Sequence, residues 1–318
     1  MVRASSNRPP SSVRRAVVTG LAVIGLAVCG VSGCSGSDAV TDQSSDVRPE
    51  IVVTTPMLGV LVSDIVGGEA AVTVLMPNGT DPHSWEPSAG DIEAVQSADL
   101  VVVNGLGLEA NLEEAVDERR GSGRLVFDAS SAIDVIAIDP SSDEFDEHPD
   151  GDPHFWTDAR RMADVAGALD EYLVEIGLDV AEAVSIEQER LVTADAEIAD
   201  MVDAIPEGER ILVTGHESMA YFADRYGFTV IGAVIPSQSS LAESSAGDLA
   251  ALASTITEAG VPVIFTEAGT PSSVVDALAS DVGVRVVSID PVTVPDQSSC
   301  ADFLRGLAES VIAGFTAE

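Results

Sequence analysis

Short apolar runs rich in β-branched residues alternate with helical segments along most of this 318-residue chain, and the alternation occurs in two successive series. Apolar runs of four to six residues in this setting are typical of parallel strands that helices cover on both faces. The predicted strands are Ile51–Thr55, Ala71–Met76, Leu100–Asn104 and Arg124–Asp128, then Ile211–Thr214, Thr229–Val234, Pro262–Thr266 and Arg285–Ile289. The predicted helices lie near Pro56–Val66, Ser88–Ser97 and Leu108–Arg119, then near Glu217–Tyr226, Ala246–Ala259, Ser272–Ser280 and Ala301–Phe315.

One uninterrupted helical segment separates the two series. Asp179–Ala204 contains no glycine or proline, and its apolar residues recur at helical spacing among acidic ones. The segment predicts an amphipathic helix of roughly 25 residues, about 38 Å long, that ends before Pro206. We therefore expect an α/β fold with two Rossmann-like lobes on parallel sheets, residues 49–178 and 207–318, joined by one long rigid linking helix within 179–206.

The first 33 residues have the pattern of a secretory signal peptide. Arginines precede a 16-residue apolar run, Ala16–Val31, which is shorter than the ~20 residues that span a bilayer. Small residues lead to Cys34 as in a bacterial lipobox, so we expect Cys34 to carry lipid and to hold the mature chain at the outer face of the cytoplasmic membrane. A plain signal peptide with an incidental cysteine is the alternative, and Arg14-Arg15 also permits a twin-arginine signal. Residues 34–48 are polar and read as a flexible tether.

The charge of the chain excludes some functions. It has 53 acidic residues and 15 basic ones, none of them lysine, and loss of the first 33 residues would remove four arginines and change the formal charge from −38 to −42. Such a surface repels phosphates, so no nucleic acid is expected as a partner. A generally acidic amino-acid composition explains most of this negative charge, so the charge is little evidence for metal binding. Gly105-Leu106-Gly107 lacks the third glycine of a dinucleotide-binding fingerprint, which argues against that ligand.

Two of the four histidines occur in nearly the same short context. Asp81-Pro82-His83-Ser84-Trp85 is echoed by Asp152-Pro153-His154-Phe155-Trp156. A single histidine in a loop is more often a structural residue than a ligand. The repeated context, with proline fixing the backbone before each imidazole, favours a shared role for His83 and His154 in binding.

Two further candidates follow predicted strands of the second series. His216 comes one glycine after Ile211–Thr214, and Asp290 ends the strand that begins at Arg285. Ligands of open α/β sheets bind beyond the carboxyl ends of the strands. Only Cys300 would remain as a thiol beside Cys34, so a metal would need imidazole and carboxylate ligands. Three imidazoles and one carboxylate form a tetrahedral set that suits zinc and similar transition metals.

The chain resembles the metal-specific substrate-binding proteins of bacterial ABC uptake systems, of the ZnuA and TroA type. The resemblance covers almost the whole mature chain and rests on Asp81–Pro87, Ala98–Glu109, Asp152–Asp158, Val213–His216 with Tyr221-Phe222, and Ser288–Pro291. It implies two lobes joined by a long helix, a monomer, and a separate ABC permease and ATPase as partners. It also implies that four residues match the family's metal-ligand positions: His83, His154, His216 and Asp290.

The residue at position 216 bears on the choice of metal. Manganese-binding members of the family usually carry glutamate where this chain has His216, and imidazole favours zinc whereas oxygen ligands favour manganese. We therefore expect Zn²⁺ as the transported ion, with Mn²⁺ or Fe²⁺ as alternatives. Glu267, just after a predicted strand, is expected either to accept a hydrogen bond from a ligand imidazole or to be a helix N-terminal acid.

A zinc-dependent hydrolase and an adhesin are the alternative functions. A zinc-dependent hydrolase would keep an open coordination position for water, whereas four protein ligands close the site, so no enzyme is expected. An adhesin role is known in this kind of protein and nothing in the sequence tests it. Residues 139–152 carry seven acids and His148 where zinc-binding relatives often have a histidine-rich loop. His148 is an accessory candidate for metal capture, and a solvated insertion is the favoured alternative.

Overall fold

The N-terminal sheet is parallel and is ordered β2-β1-β3-β4 in this computed structural model, which describes residues 48–138 and 150–316. Its strands are β1 Glu50–Val53, β2 Ala71–Val74, β3 Leu100–Val103 and β4 Leu125–Asp128. β2 lies on one side of β1, and β3 and β4 lie on the other. Because the chain changes direction at β1, the loops after β1 and β3 diverge and leave a crevice at the carboxyl edge of the sheet.

Among the residues that the structure describes, the four strands of the C-terminal half lie in the same relative order as those of the N-terminal sheet. The C-terminal strands are β5 Ile211–Thr214, β6 Thr229–Ala233, β7 Val263–Thr266 and β8 Arg285–Ser288. β5 pairs with β6 and β7 with β8, both in parallel, and β5 lies beside β7 without a continuous ladder. The predicted α/β fold on parallel sheets is confirmed, and the strands agree with the prediction to within two residues at each end.

The described helices are α1 Pro56–Val66, α2 Ala89–Ser97, α3 Glu113–Gly121, α4 Ala159–Glu175, α5 Ala181–Val202, α6 Ala220–Tyr226, α7 Ala246–Ala259, α8 Ser272–Val282 and α9 Cys300–Thr316. The linking helix is α5, whose 22 residues correspond to about 33 Å. Helix α4 has no counterpart in the sequence prediction, although Asp158 caps its first turn by accepting hydrogen bonds from the backbone N–H of Arg160 and Arg161.

Alternate residues of the central strands pack on opposite faces of the N-terminal sheet. Ile51 and Val53 point into a large core that contains α1, α4, α5 and α9, while Val52 packs with α2 and α3 on the other face. The same large core continues beneath the C-terminal strands, where it includes Leu212 and Phe265. Because one continuous core underlies both sheets, rotation of one lobe against the other would break many apolar contacts.

Glu109 closes the loop after β3. Its carboxylate accepts hydrogen bonds from the Thr54 hydroxyl and from the backbone N–H groups of Asn104 and Gly105. Burial raises the pKa of Glu109, and these hydrogen bonds oppose that shift. The amide groups that would cradle a phosphate in a nucleotide-binding loop are thus occupied by the protein's own carboxylate.

Several sequence predictions fall outside the described residues. These are the signal peptide at 1–33, the lipid attachment at Cys34, nearly all of the tether at 34–48, and His148. No helix in the described part of the chain combines the length and the apolar character needed to cross a membrane.

Candidate metal centre

Three imidazoles converge where the loops of the two sheets meet. His83 lies in the loop between β2 and α2, His154 precedes α4, and His216 follows β5. Their exposed fractions are 9%, 1% and 6%, and within the described residues they form the group of potential metal donors that lie within 4.8 Å of one another.

The spacing of the imidazole nitrogens fits a tetrahedral ion. His154 Nε2 lies 3.1 Å from His83 Nε2 and 3.3 Å from His216 Nε2. Two nitrogens bound to one zinc at about 2.05 Å with tetrahedral angles are separated by about 3.3 Å. The two separations from His154 Nε2 are therefore close to the edge length of a zinc tetrahedron, and the donor atoms of all three residues lie within 4.8 Å of one another.

His154 is held by the carboxylate of Asp152. Asp152 Oδ1 lies 2.8 Å from both the backbone nitrogen and the Nδ1 of His154, and both residues are 1% exposed. A proton on Nδ1 that is donated to this carboxylate leaves the Nε2 lone pair free for a metal, and the negative charge makes that nitrogen a stronger donor.

The backbone around His154 is also fixed. The Asn104 amide donates to Pro153 O at 3.0 Å, and the Tyr221 hydroxyl donates to Asp152 O at 2.7 Å. Burial raises the pKa of Tyr221 well above its ordinary value, so this phenol stays protonated and able to donate. The Trp156 indole donates to Pro291 O at 2.8 Å, which ties this loop to the C-terminal lobe.

His216 is backed by Glu267 from the loop after β7. Glu267 Oε1 lies 3.5 Å from His216 Nδ1, and neither atom has a hydrogen-bond partner among the described residues. Glu267 Oε2 accepts a hydrogen bond from the Ser218 hydroxyl at 2.7 Å. A small rotation would join Nδ1–H to this buried carboxylate, which is one of the two roles expected of Glu267 from the sequence and stays a prediction.

Only a glycine fits between β5 and His216. A Cβ atom at Gly215 would lie 2.2 Å from Thr270 Oγ1 and 3.2 Å from the Glu267 side chain. The close approach brings the β5 loop against the β7 loop and places Glu267 next to the imidazole. Helix α6 starts later than predicted, at Ala220.

Asp290 is not brought together with the imidazoles. Its side chain is exposed, and Oδ1 accepts hydrogen bonds from the backbone N–H of Val292 at 3.2 Å and Thr293 at 2.8 Å. Its neighbours Pro291 and Val292 line the cavity beside the imidazoles. Asp290 thus stands at the margin of the site, and its role as a ligand stays a prediction.

Two residues that support the site, Asp152 and Ser218, are not among those predicted from the sequence. A signal for Asp152 existed, because Asp-Pro-His occurs twice. The two aspartates differ in use, however: Asp81 Oδ1 accepts the backbone N–H of His83 at 3.1 Å, whereas Asp152 Oδ1 contacts both the backbone N–H and the imidazole of His154. The spacing alone does not reveal this difference. Ser218 carries no sequence signal beyond its position two residues after His216.

Two α/β lobes of like topology meet at three buried imidazoles, and this arrangement is that of a metal-binding protein. The sequence profile of the family described as "ZnuA: Zinc-uptake complex component A periplasmic" matches residues 51–312. The chain belongs to this family.

The similarity extends to individual relatives. The chain is 33% identical over 249 residues to the zinc-binding protein TroA of Treponema pallidum, covering 77% of this chain and 78% of that protein. It is 31% identical over 243 residues to the manganese-binding lipoprotein MntA of Halalkalibacterium halodurans, covering 74% and 77%. The solved structure of the periplasmic zinc-binding protein TroA from Treponema pallidum superposes with a TM-score of 0.71 at 29% identity, covering 85% of this chain and 98% of that one.

Replacement of Asp152 by asparagine is expected to weaken zinc binding by about 10- to 100-fold, the usual effect of losing the carboxylate behind a ligand imidazole. The neutral amide keeps the size of the side chain while removing the charge that strengthens Nε2 as a donor. Competition titration against a fluorescent zinc chelator measures the change. Asp91→Asn is the control, because Asp91 is a partly exposed acid of the α2 capping box and does not line the cavity between the imidazoles. Equal affinities for Asp152→Asn and the unaltered protein would contradict this role.

Proposed function

We propose that this chain captures Zn²⁺ through His83, His154 and His216 and delivers it to an ABC permease driven by a separate ATPase. The observation that carries the proposal is the separation of the Nε2 atoms, 3.1 and 3.3 Å, at buried positions between the lobes. The ion is the cargo of the protein. Neutral imidazoles with buried carboxylates behind two of them supply a strong but releasable set of donors.

The preference for zinc over Mn²⁺ or Fe²⁺ rests on the donor set. Imidazole nitrogen suits zinc, whereas manganese prefers sites rich in carboxylate and water oxygen. Relatives of comparable similarity are named for zinc and for manganese, so the names alone favour neither ion. The third imidazole, His216, is the feature of this chain that favours zinc.

Asp290 is proposed as the fourth ligand. Its exposed carboxylate would have to rotate from the N–H groups of Val292 and Thr293 toward the cavity that the neighbouring Pro291 and Val292 already line. The competing hydrogen bonds to the backbone are weak enough for a divalent cation to displace. A carboxylate that enters last and leaves first would also suit a carrier.

The size of the site favours carriage over hydrolysis. The cavity among the three imidazoles, Trp156 and Pro291 has a volume of about 10 Å³. That space holds one ion or one water molecule, and a peptide or ester beside the metal would not fit. We therefore propose a binding protein and no enzymatic activity.

We further propose that residues 1–33 are removed, that Cys34 carries lipid, and that 34–48 tether a monomer to the outer face of the cytoplasmic membrane. Relatives named as lipoproteins support the anchor. The lobes would then be 49–178 and 207–318 with 179–206 as the linking segment. Asp152, at the end of the acidic stretch 139–152, is buried against His154 and is not part of a solvated insertion. For His148 that interpretation stays a prediction.

The test is elemental analysis and competition titration on residues 34–318. We expect one zinc per chain, retained against equimolar manganese. Asp290→Ala should weaken zinc binding about 100-fold, since one ligand of a four-ligand site supplies roughly a quarter of ~10–16 kcal/mol. Asp296→Ala, an exposed acid of the same loop, is the control. A stoichiometry of zero would overturn the proposal, whereas bound manganese in place of zinc would overturn only the choice of metal.

A further inference from the structure

We propose that side-chain hydrogen bonds between the His83 loop, residues 75–88, and the C-terminal lobe control how fast the bound ion leaves. In this view Asp81 and Asn78 are positioning residues that hold His83 against the other two imidazoles. The inference rests on the proposed function, because it concerns the release of the captured ion.

In the first contact, each oxygen of the Asp81 carboxylate accepts a different hydrogen bond. Oδ1 accepts the backbone N–H of His83, and Oδ2 accepts the Ser240 hydroxyl at 2.6 Å. Ser240 belongs to the loop after β6 in the other lobe. A Cβ atom at Gly269 would lie 2.7 Å from Asp81 Oδ2, so the absence of a side chain there lets the lobes approach. The carboxylate thus links the position of His83 directly to the C-terminal lobe.

The second contact lies on the other side of the loop. The Asn78 side chain donates to Val294 O at 2.6 Å and accepts the Val294 N–H at 2.8 Å. Beside it, a Cβ atom at Gly79 would be 2.9 Å from Thr293 Oγ1. Thr293 and Val294 follow Asp290 closely in the chain. The His83 loop is therefore fastened both to the β6 loop and to the segment that carries the proposed fourth ligand.

The His83 loop is the part of the site that can open. His154 is enclosed by Asp152 and by Trp156, and His216 follows β5 after a single residue. His83 is the most exposed of the three imidazoles, and most of its loop has no helix or strand. The continuous apolar core beneath both sheets opposes a rotation of whole lobes. Leu75, Met76 and Trp85 anchor the ends of the loop in the apolar cluster on the outer face of the sheet. Opening the stretch around His83, between Met76 and Trp85, therefore breaks fewer apolar contacts than a rotation of whole lobes.

Removal of one contact should therefore speed release. A hydrogen bond to a carboxylate in a partly buried place is among the stronger polar contacts, and its loss should raise the population of the open loop by about tenfold. Since the ion leaves from the open state, the dissociation rate should rise by the same factor. The three imidazoles remain in place, so the stoichiometry should stay at one ion.

The experiment measures zinc dissociation from residues 34–318 by stopped-flow mixing with excess chelator. Ser240→Ala removes the hydroxyl that reaches Asp81 and should release zinc about tenfold faster. Ser239→Ala is the matched control, because the Ser239 hydroxyl accepts the N–H of Leu241 within its own loop and, among the described residues, has no hydrogen bond to the His83 loop. A merely structural effect of Ser240→Ala would lower the melting temperature of the metal-free protein and leave the dissociation rate unchanged, which would overturn the proposal.

Asn78→Ala provides an independent second variant and should also accelerate release. Unchanged dissociation rates in both Ser240→Ala and Asn78→Ala, with one zinc still bound, would overturn the role of these contacts while leaving zinc capture intact. Equal acceleration by the Ser239→Ala control would overturn it too. Failure of the unaltered protein to bind zinc would instead overturn the proposed function, and with it any role in release.

Discussion

Replacing His154 with alanine is expected to abolish high-affinity zinc binding, with a loss of more than 100-fold. His154 Nε2 lies between the other two ligand nitrogens, 3.1 Å from His83 Nε2 and 3.3 Å from His216 Nε2. One ligand accounts for about 3 kcal/mol of zinc affinity, which is roughly two powers of ten. The loss at His154 should exceed this, because Asp152 then also loses its partner and no longer orients a donor.

The same substitution has a cost in stability that must be measured separately. Without the ring, the Asp152 carboxylate stays buried with fewer hydrogen bonds, which costs about 1–3 kcal/mol. Competition titration should therefore be run at a temperature where circular dichroism shows the variant folded. His148→Ala is the control, because it removes a histidine that is not one of the proposed ligands. Retention of zinc by folded His154→Ala at the affinity of the unaltered protein would disprove the site.

Much of the fold could be predicted because both sheets are covered on both faces. Strands such as Leu100–Val103 are apolar throughout, and an uninterrupted run of this length between helices has few other interpretations. Helix α4 was missed although Met162, Leu169 and Leu173 lie on its buried face. Its N-cap residue, Asp158, comes two residues after the motif Asp152–Trp156. The signal for the start of the helix is therefore easily taken as part of the metal-site motif.

The residues of the candidate site that lie in a recognisable short motif could be predicted from the sequence. Contacts between residues far apart in the chain could not. The histidines stand out because they are few and two share a context. The Asp290 side chain can either accept hydrogen bonds from nearby backbone N–H groups, as it does here, or turn toward the cavity. The pattern of strands in the sequence does not indicate which of these orientations it adopts. The hydrogen bond of Asp81 to Ser240 joins residues 159 positions apart, and no periodicity in one sequence indicates such a pair.

The identity of residue 216 should set the choice of metal. His216→Glu replaces an imidazole with a carboxylate and is expected to lower the ratio of zinc to manganese affinity by about two powers of ten, since one imidazole supplies about 3 kcal/mol of zinc affinity. Zinc binding should weaken and manganese binding should strengthen or hold. Parallel competition titrations with both ions give this ratio.

Glu267 complicates this substitution and also offers its control. It lies 3.5 Å from His216 Nδ1 and is 5% exposed, so a second carboxylate nearby would be repelled unless a cation or a proton lies between them. His216→Glu should therefore destabilise the metal-free protein and make it more dependent on a divalent ion. Glu267→Gln alone should weaken both metals and leave their ratio nearly unchanged. In the double variant the repulsion is gone while the new oxygen ligand remains, so the altered ratio should persist. A ratio that returns to that of the unaltered protein would mean that charge rather than ligand type selects the metal.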